Sequence, residues 1–135
     1  MIFWIRLLYN LLFPIVLVLL LPGFLLRMIR RGKYRHKFWQ RFAIYSEGVE
    51  RKIAGTGRIW IHAVSVGEVN IAMKLIQALR ESDSSLEFVL STTTSTGFKL
   101  AATRKTSWLE PIYNPVDFYP VARRAMRLIR PRVLI

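Results

Sequence analysis

The chain has 135 residues, enough for one modest domain, and carries 21 Lys and Arg against 8 Asp and Glu. It contains no cysteine, which excludes a disulfide framework and a thiolate metal site. The formal net charge of +13 suggests an anionic partner, which could be a nucleic acid, a membrane surface or a phosphorylated ligand.

The first predicted element is an apolar helix. The twenty residues from Leu7 to Leu26 carry no formal charge, and about 20 apolar residues in a helix span the hydrocarbon core of a bilayer. A secretory signal peptide would have a shorter apolar run and a small-residue cleavage site, and the residues from Arg27 to Lys33 offer no such site. We therefore predict an uncleaved membrane anchor over residues 1–26.

The charges beside this run predict its orientation. Seven Lys or Arg lie between Arg27 and Arg41, and Arg6 is the only one before the run, so the positive-inside bias places the C-terminal side in the cytoplasm. Pro14 and Pro22 interrupt a straight span, and Pro22-Gly23 could end the helix early. The pattern favours a full crossing, and a shallow insertion in the interface is the alternative.

Residues 27–57 are predicted to form a basic, aromatic-rich juxtamembrane segment and a polar connector. Cations and aromatic rings together can bind single-stranded nucleic acid, but this stretch directly follows a membrane segment. Its cations are therefore expected either to contact anionic head groups or to act only as topogenic charge. We predict no nucleic-acid partner. Four aromatic residues flank the apolar run as interface residues do: Trp4, Tyr9, Tyr34 and Trp39.

From residue 58 the pattern alternates between strands and helices. Strands are predicted at 58–64, 86–92, 108–113 and from 131, and helices at 69–80, 96–105 and from an Asp117 N-cap to Ile129. This alternation predicts an α/β fold with a parallel, Rossmann-like sheet. Because such sheets are normally covered on both faces, we expect residues 58–135 to be the N-terminal part of a larger domain, unless a partner chain completes the sheet.

Two polar segments follow the first and second predicted strands, where ligands bind in such sheets. They are Ala63–Val69, with the sequence AVSVGEV, and Ser91–Gly97, with the sequence STTTSTG. Gly67 permits close backbone approach, and Glu68 is either a carboxylate favoured by the helix dipole or a general base. The Ser/Thr/Gly loop is either a cap and turn or a ligand cradle. No glycine motif for nucleotide phosphates is present.

The remaining polar residues have less specific interpretations. His62 is interpreted as a satisfied core histidine and His36 as a residue of the membrane interface. No spacing of His, Asp and Glu suggests a metal site. Four arginines are predicted to form a solvated helix face that could also meet phosphates: Arg123, Arg124, Arg127 and Arg130.

Four segments, in this order, resemble the bacterial 3-deoxy-D-manno-octulosonic acid (Kdo) transferases. The most specific is WIHAVSVGEV at Trp60–Val69, and the others are Ser91–Gly97, YNPVD at Tyr113–Asp117 and RPRVLI at Arg130–Ile135. The apolar anchor and the basic segment after it are similar to the family as well. The block at Trp39–Ala43, WQRFA, departs from the GERYG-like block of the family.

The resemblance implies a GT-B fold of two Rossmann-like domains and inverting transfer of Kdo from CMP-Kdo to the lipid A precursor. The reaction would take place at the cytoplasmic face of the inner membrane, with membrane lipid and the acceptor as partners. Glu68 would be the catalytic general base that deprotonates the acceptor hydroxyl. The residues lining the acceptor side of the cleft would be Ser65, Gly67, Thr94, Ser95, Thr96 and Gly97.

The donor CMP-Kdo is expected to bind a C-terminal domain beyond residue 135, so no cofactor is predicted for these residues and the isolated chain is expected to be inactive. One alternative is not enzymatic: a membrane-attached module that binds anionic lipid head groups without chemistry.

Overall fold

The computed structural model describes residues 2–30, 35–55 and 57–135. Part of the predicted juxtamembrane segment, including Tyr34, lies outside these residues, and the side chain of His36 is not described either. The interpretations of Tyr34 and His36 as interface residues therefore stay predictions.

Helix α1, Ile2–Arg30, contains both Pro14 and Pro22, so the helix does not end early at Pro22-Gly23, as that pair could have caused. Each proline removes only one backbone donor, and the Leu-rich flanks keep the other helical bonds. Within the described residues, no helix is both long enough and apolar enough to cross a bilayer, in contrast to the predicted full crossing.

Helix α1 contacts the rest of the protein through its N-terminal half. The Tyr9 hydroxyl donates to the carbonyl of Asp117 at 2.7 Å, and the Tyr119 N–H donates to Asn10 Oδ1 at 3.3 Å. The Phe13 ring stacks on Phe118, with 5.5 Å between centroids and 8° between planes. Tyr9 and Asn10 of α1 are thus hydrogen-bonded to residues 117–119.

The connector contains two short helical segments that the sequence analysis did not predict. A 3₁₀ segment, Arg35–Phe42, is kinked at Lys37, where φ is −142° and ψ is 22°. Helix α2, Glu47–Ile53, buries Val49 and Ile53. Its acidic first turn and basic last turn match the helix dipole.

The predicted parallel sheet is confirmed. Its strands are β1, Ile59–Ala63; β2, Phe88–Thr92; β3, Leu109–Tyr113; and β4, Val133–Leu134. All neighbours pair in parallel in the order β3-β2-β1-β4, which is the order of the first four strands of a Rossmann-like sheet. The carboxyl ends of β1, β2 and β3 therefore meet at one edge, which we call the carboxyl edge.

Three helices follow the first three strands: α3, Val66–Ser82; α4, Ser95–Thr103; and α5, Tyr119–Ile129. The predicted N-cap at Asp117 is wrong, because the N-cap of α5 is Phe118, which makes no side-chain cap bond. Asp117 instead accepts from the Tyr9 hydroxyl, and Pro120 at the start of α5 needs no N–H partner.

Both faces of the sheet are covered, which explains why β1, β2 and β3 are buried along almost their whole length. Alternate residues of β1 point to opposite sides: Ile61 packs under α3 and α4, and Trp60 packs under α2 and α5. The first core also holds Val69, Ala72, Ile76, Phe88, Leu90, Ala101 and Leu109. The second also holds Tyr45, Val49, Ile53, Val89, Ile112, Ala125 and Ile129.

Candidate active site

Glu68 is fixed at the start of α3 by a capping box. Ser65 is the N-cap, and its Oγ accepts the Glu68 N–H at 3.3 Å. In return, the Ser65 hydroxyl donates to Glu68 Oε1 at 3.1 Å, and the Val64 N–H donates to Oε2 at 2.8 Å. The Ser-x-x-Glu spacing is the sequence signature of this arrangement. Both carboxylate oxygens are thereby held at the carboxyl edge.

These contacts also set the ionisation of Glu68. The Val64 N–H contributes most to holding the pKa of this carboxyl below its ordinary value, followed by the Ser65 hydroxyl. The side chain is exposed and ionised at neutral pH. Because a carboxylate offers about four acceptor positions, it keeps capacity for the proton of a bound hydroxyl.

The second predicted segment, Ser91–Gly97, which we call the second loop, forms a cap of the same type at the start of α4. Thr94 is the N-cap, and its Oγ1 accepts the Gly97 N–H at 3.1 Å. Gly97 is buried, and a Cβ at this position would lie 2.9 Å from Thr94 Oγ1 and 3.5 Å from Val69 Cγ2. The first turns of α3 and α4 are therefore in contact, so the two predicted loops lie side by side.

The other predicted site residues differ in exposure. Ser65, Gly67 and Thr96 are exposed, whereas Thr94 and Ser95 are partly buried. A Cβ on Gly67 would meet only Ser65 Oγ, at 3.8 Å, so the close approach predicted at Gly67 is not required within the described residues. Gly97 faces the contact between α3 and α4 rather than solvent.

Two cations of the 3₁₀ segment lie at the second loop, and the sequence analysis missed them. Arg41 Nη2 donates to the Thr93 carbonyl at 2.7 Å, and its guanidinium lies 4.5 Å from the Tyr113 ring centroid. Lys37 Nζ lies 4.6 Å from the Phe98 ring centroid. The Phe98 and Tyr113 rings stack on each other at 4.3 Å, which makes a cation–ring–ring–cation stack.

This stack gives the second loop a positive flank. Burial lowers the pKa of Lys37, with a further contribution from the charge of Lys105. Arg41 and Thr93 are 52 residues apart, and no local pattern connects them. The only sequence signal was the interleaving of cations and aromatic residues, which was interpreted as a membrane-facing stretch.

Three of the four predicted arginines lie in α5, and Arg130 is its C-cap. Arg123, Arg124 and Arg127 line an open surface cavity of about 550 Å³ together with Glu50 and Tyr119. All four are exposed, and Arg130 ends the helix in the left-handed region at φ 43°. The prediction of a solvated face agrees with this placement.

His62 lies on β1 at the carboxyl edge and is partly buried. Its Nδ1 is 3.0 Å from Ser91 Oγ, which also accepts the indole N–H of Trp60 at 2.8 Å. The histidine is satisfied, as predicted, but it lies at the rim of the sheet rather than inside the core.

Comparison with known proteins adds to this geometry. Residues 36–135 match the model of a family described as 3-deoxy-D-manno-octulosonic-acid transferase (kdotransferase). A 3-deoxy-D-manno-octulosonic acid transferase of Bordetella pertussis is 32% identical over 123 residues, which cover 84% of this chain and 28% of the relative. The chain thus spans about a quarter of the length of that relative. It belongs to the 3-deoxy-D-manno-octulosonic-acid transferase (kdotransferase) family.

Proposed function

We propose that the chain is the N-terminal, acceptor-side part of an inverting GT-B glycosyltransferase. Its reaction is the transfer of Kdo from CMP-Kdo to the lipid A precursor in lipopolysaccharide biosynthesis. The observation that carries the proposal is the Glu68 carboxylate, which is held ionised and exposed at the carboxyl edge of a sheet whose sequence matches the family.

In this reaction, the acceptor hydroxyl oxygen forms a bond to the anomeric carbon of Kdo. The bond from that carbon to the phosphate oxygen of CMP breaks, and its electron pair leaves with CMP. Glu68 takes the proton of the attacking hydroxyl. The capping box supports this role because it fixes the carboxylate before substrate arrives, so little ordering remains to be done at the moment of reaction.

The second loop is proposed to bind the acceptor through its backbone and hydroxyl groups, from Thr94 to Gly97, beside Ser65 and Gly67. Lys37 and Arg41 favour an anionic acceptor, because both are held next to this loop by the ring stack. A lipid that carries phosphate groups has the matching charge.

We propose that α1 attaches the protein to the cytoplasmic face of the inner membrane by lying in the interface. Its bonds to residues 117–119 hold it at the carboxyl edge, and many of its apolar side chains are exposed, with Leu11 at 64% and Leu19 at 73%. An amphiphilic acceptor in that leaflet would then be close to Glu68.

CMP-Kdo is proposed to bind a second Rossmann-like domain, which lies outside residues 1–135. The chain spans 28% of its relative from Bordetella pertussis, which leaves room for such a domain in a protein of that length. We accordingly expect the isolated chain to be inactive in transfer.

The proposal is tested in the complete gene product that contains this chain, with CMP-Kdo and lipid A precursor as substrates. Glu68→Gln should lower kcat by about 100-fold or more, because general-base catalysis contributes roughly that much or more. The matched control is Glu81→Gln, a change of the same kind at the other end of α3. Unchanged kcat in Glu68→Gln would contradict the role of the base, and a wild-type protein without transfer would contradict the function.

Membrane attachment is tested by flotation with vesicles that contain anionic lipid. The double change Leu11→Gln and Leu19→Gln should reduce the bound fraction several-fold, because both side chains are exposed on α1. Leu75→Gln, on the exposed face of α3, is the control with no expected effect. Equal flotation of all three proteins would contradict attachment through α1.

The arginines of α5 favour one competing function, a module that binds anionic lipid without catalysis. Three of them line one cavity beside residues that contact α1, so an anionic surface could be bound there. The transfer assay distinguishes the two functions: flotation with no transfer by the complete gene product would support the lipid-binding module.

A further inference from the structure

A short chain of hydrogen bonds runs through the sheet beneath the carboxyl edge. It joins Trp60 Nε1 to Ser91 Oγ at 2.8 Å and Ser91 Oγ to His62 Nδ1 at 3.0 Å. His62 and Ser91 are paired in the register of β1 and β2, so the backbone fixes the last contact. Trp60 and Ser91 are both buried, and Ser91 has no exposed surface.

The donor and acceptor of each of these hydrogen bonds can be deduced from the side chains that form them. An indole N–H is only a donor, so Ser91 Oγ accepts from Trp60. The hydroxyl proton of a fully buried serine then needs an acceptor, because an unpaired buried donor is unfavourable. Among the described residues, the remaining side-chain partner of Ser91 is His62 Nδ1. Nδ1 is therefore the acceptor, and in the neutral ring the proton resides on Nε2.

His62 lies near Glu68 at the carboxyl edge. Its ring is tied to fully buried Ser91 through Nδ1 and the residue is only partly buried, so Nε2 is the ring nitrogen that is not bonded to Ser91. Glu68 Oε2 is bonded to the N–H of Val64, only two residues beyond His62.

We infer that His62 is a further functional residue of the site, a neutral donor whose Nε2–H binds an oxygen of the sugar substrate beside Glu68. The Trp60–Ser91 pair is a positioning device that fixes its tautomer. The opposite tautomer would present an unprotonated Nε2, which would compete with Glu68 for the hydroxyl proton. The nature of the ligand, a sugar hydroxyl or sugar carboxylate, rests on the proposed function.

The tautomer is tested by long-range proton–nitrogen NMR of the imidazole rings in the 135-residue chain, at a pH where the ring of His62 is neutral. His62→Gln distinguishes its signals from those of His36. The expected result is a protonated Nε2 in the wild-type chain and a loss of this preference in Ser91→Ala, with no change in the exposed control Ser84→Ala. A protonated Nδ1 in the wild-type chain would overturn the inference, and that measurement needs no variant.

The role is tested by transfer kinetics of the complete gene product. His62→Ala should lower kcat/KM about 10-fold or more, and His62→Gln should recover a large part of it, because an amide N–H can replace the Nε2 donor. Equal losses in both variants, or less than about a twofold loss in His62→Ala, would overturn the role. A wild-type protein without transfer would contradict the proposed function and this role together, whereas the NMR result would still decide the hydrogen-bond chain.

Discussion

The starts of α3 and α4 are built in the same way and present different chemistry. Each begins with a hydroxyl residue, Ser65 or Thr94, which accepts the N–H of the residue three positions later. At that third position α3 has Glu68, which is exposed, and α4 has Gly97, which is buried against Val69. One helix start therefore carries a fixed negative charge, and the other carries only backbone and hydroxyl groups.

The comparison teaches that capping alone does not define a functional site. The two caps satisfy the same orphan N–H groups, and the chemistry depends on the side chain that each cap positions. The surroundings reinforce the difference, because the start of α4 is flanked by Lys37 and Arg41. A proton acceptor and an anion-binding loop thus lie next to each other.

The largest difference is expected between the two glycines. Gly97→Ala should destabilise the protein by about 1–2 kcal/mol, because the new methyl would lie 2.9 Å from Thr94 Oγ1 and displace the cap. Gly67→Ala should be neutral or stabilising by up to about 1 kcal/mol, because its methyl has room and alanine favours the helix. Denaturant unfolding of the two variants measures both values.

A double variant sharpens this result. In a Thr94→Ala background the clashing oxygen is absent, so Gly97→Ala should lower the free energy of unfolding less than it does in the wild type. Equal costs in the two backgrounds would show that Thr94 is not the obstacle. Equal effects of Gly67→Ala and Gly97→Ala on the free energy of unfolding would contradict the difference between the two helix starts.

Loss of either cap hydroxyl should change the free energy of unfolding by a similar amount, unlike the substitution of the two glycines. Ser65→Ala and Thr94→Ala should each cost about 1 kcal/mol, which is typical for the loss of an N-cap hydroxyl. Ser65→Ala should lower kcat of transfer in the complete gene product more than Thr94→Ala does, because Ser65 additionally orients Glu68, whereas Thr94 belongs to the proposed acceptor-binding loop. Unfolding and kinetic measurements on both variants separate these effects, and equal kinetic losses would contradict a special role of the first cap.

The smallest expected effect is a shift in ionisation. Ser65→Ala should raise the pKa of Glu68 towards its ordinary value, because one of the bonds that lower it is lost. A carboxyl whose pKa is depressed in the folded state adds stability above its unfolded pKa of about 4.3, and loses that contribution as the pH falls through the folded pKa. The window for this effect therefore lies below about pH 4.3.

Carbon NMR titration of the carboxyl groups measures the shift directly. Asp83 is the internal control, because its own pKa is lowered mainly by the Ser85 hydroxyl and should not respond to Ser65→Ala. An unchanged pKa of Glu68 in the variant would mean that the Val64 N–H alone fixes the carboxylate.

The sheet and its helices could be predicted because their signals are local. The apolar runs at β1 and β2 and the helical spacing of Val69, Ala72 and Ile76 lie in adjacent residues that fold together. The capping box has a local signature too, since Ser65 and Glu68 are three residues apart, but it was not predicted. The sequence left open whether Glu68 is only a carboxylate favoured by the helix dipole or a general base.

The features that could not be predicted depend on distant partners. Arg41 meets Thr93 and Tyr113 only after the sheet has formed. Asp117 likewise has a distant partner, because its carbonyl accepts from Tyr9, 108 residues away, and α5 begins only at Tyr119. Helix α2 is short and polar in sequence, so it resembled a connector until Val49 and Ile53 were placed against the second core. In each case tertiary contacts decided the structure.

The position of β4 has a consequence for hydrogen exchange along β1. Strand β4 contributes only two exposed residues, whereas every residue of β2 is buried. The amide of Ile59 donates towards the β2 side, to Glu87, but the amide of His62 donates to Ile135 on the β4 side. In the isolated 135-residue chain, local opening of β4 exposes little apolar surface, so the amide of His62 should exchange much faster than that of Ile59. The amides of β1 that donate to β2 should therefore exchange slowly and those that donate to β4 should exchange rapidly, and the amide of His62 belongs to the second group.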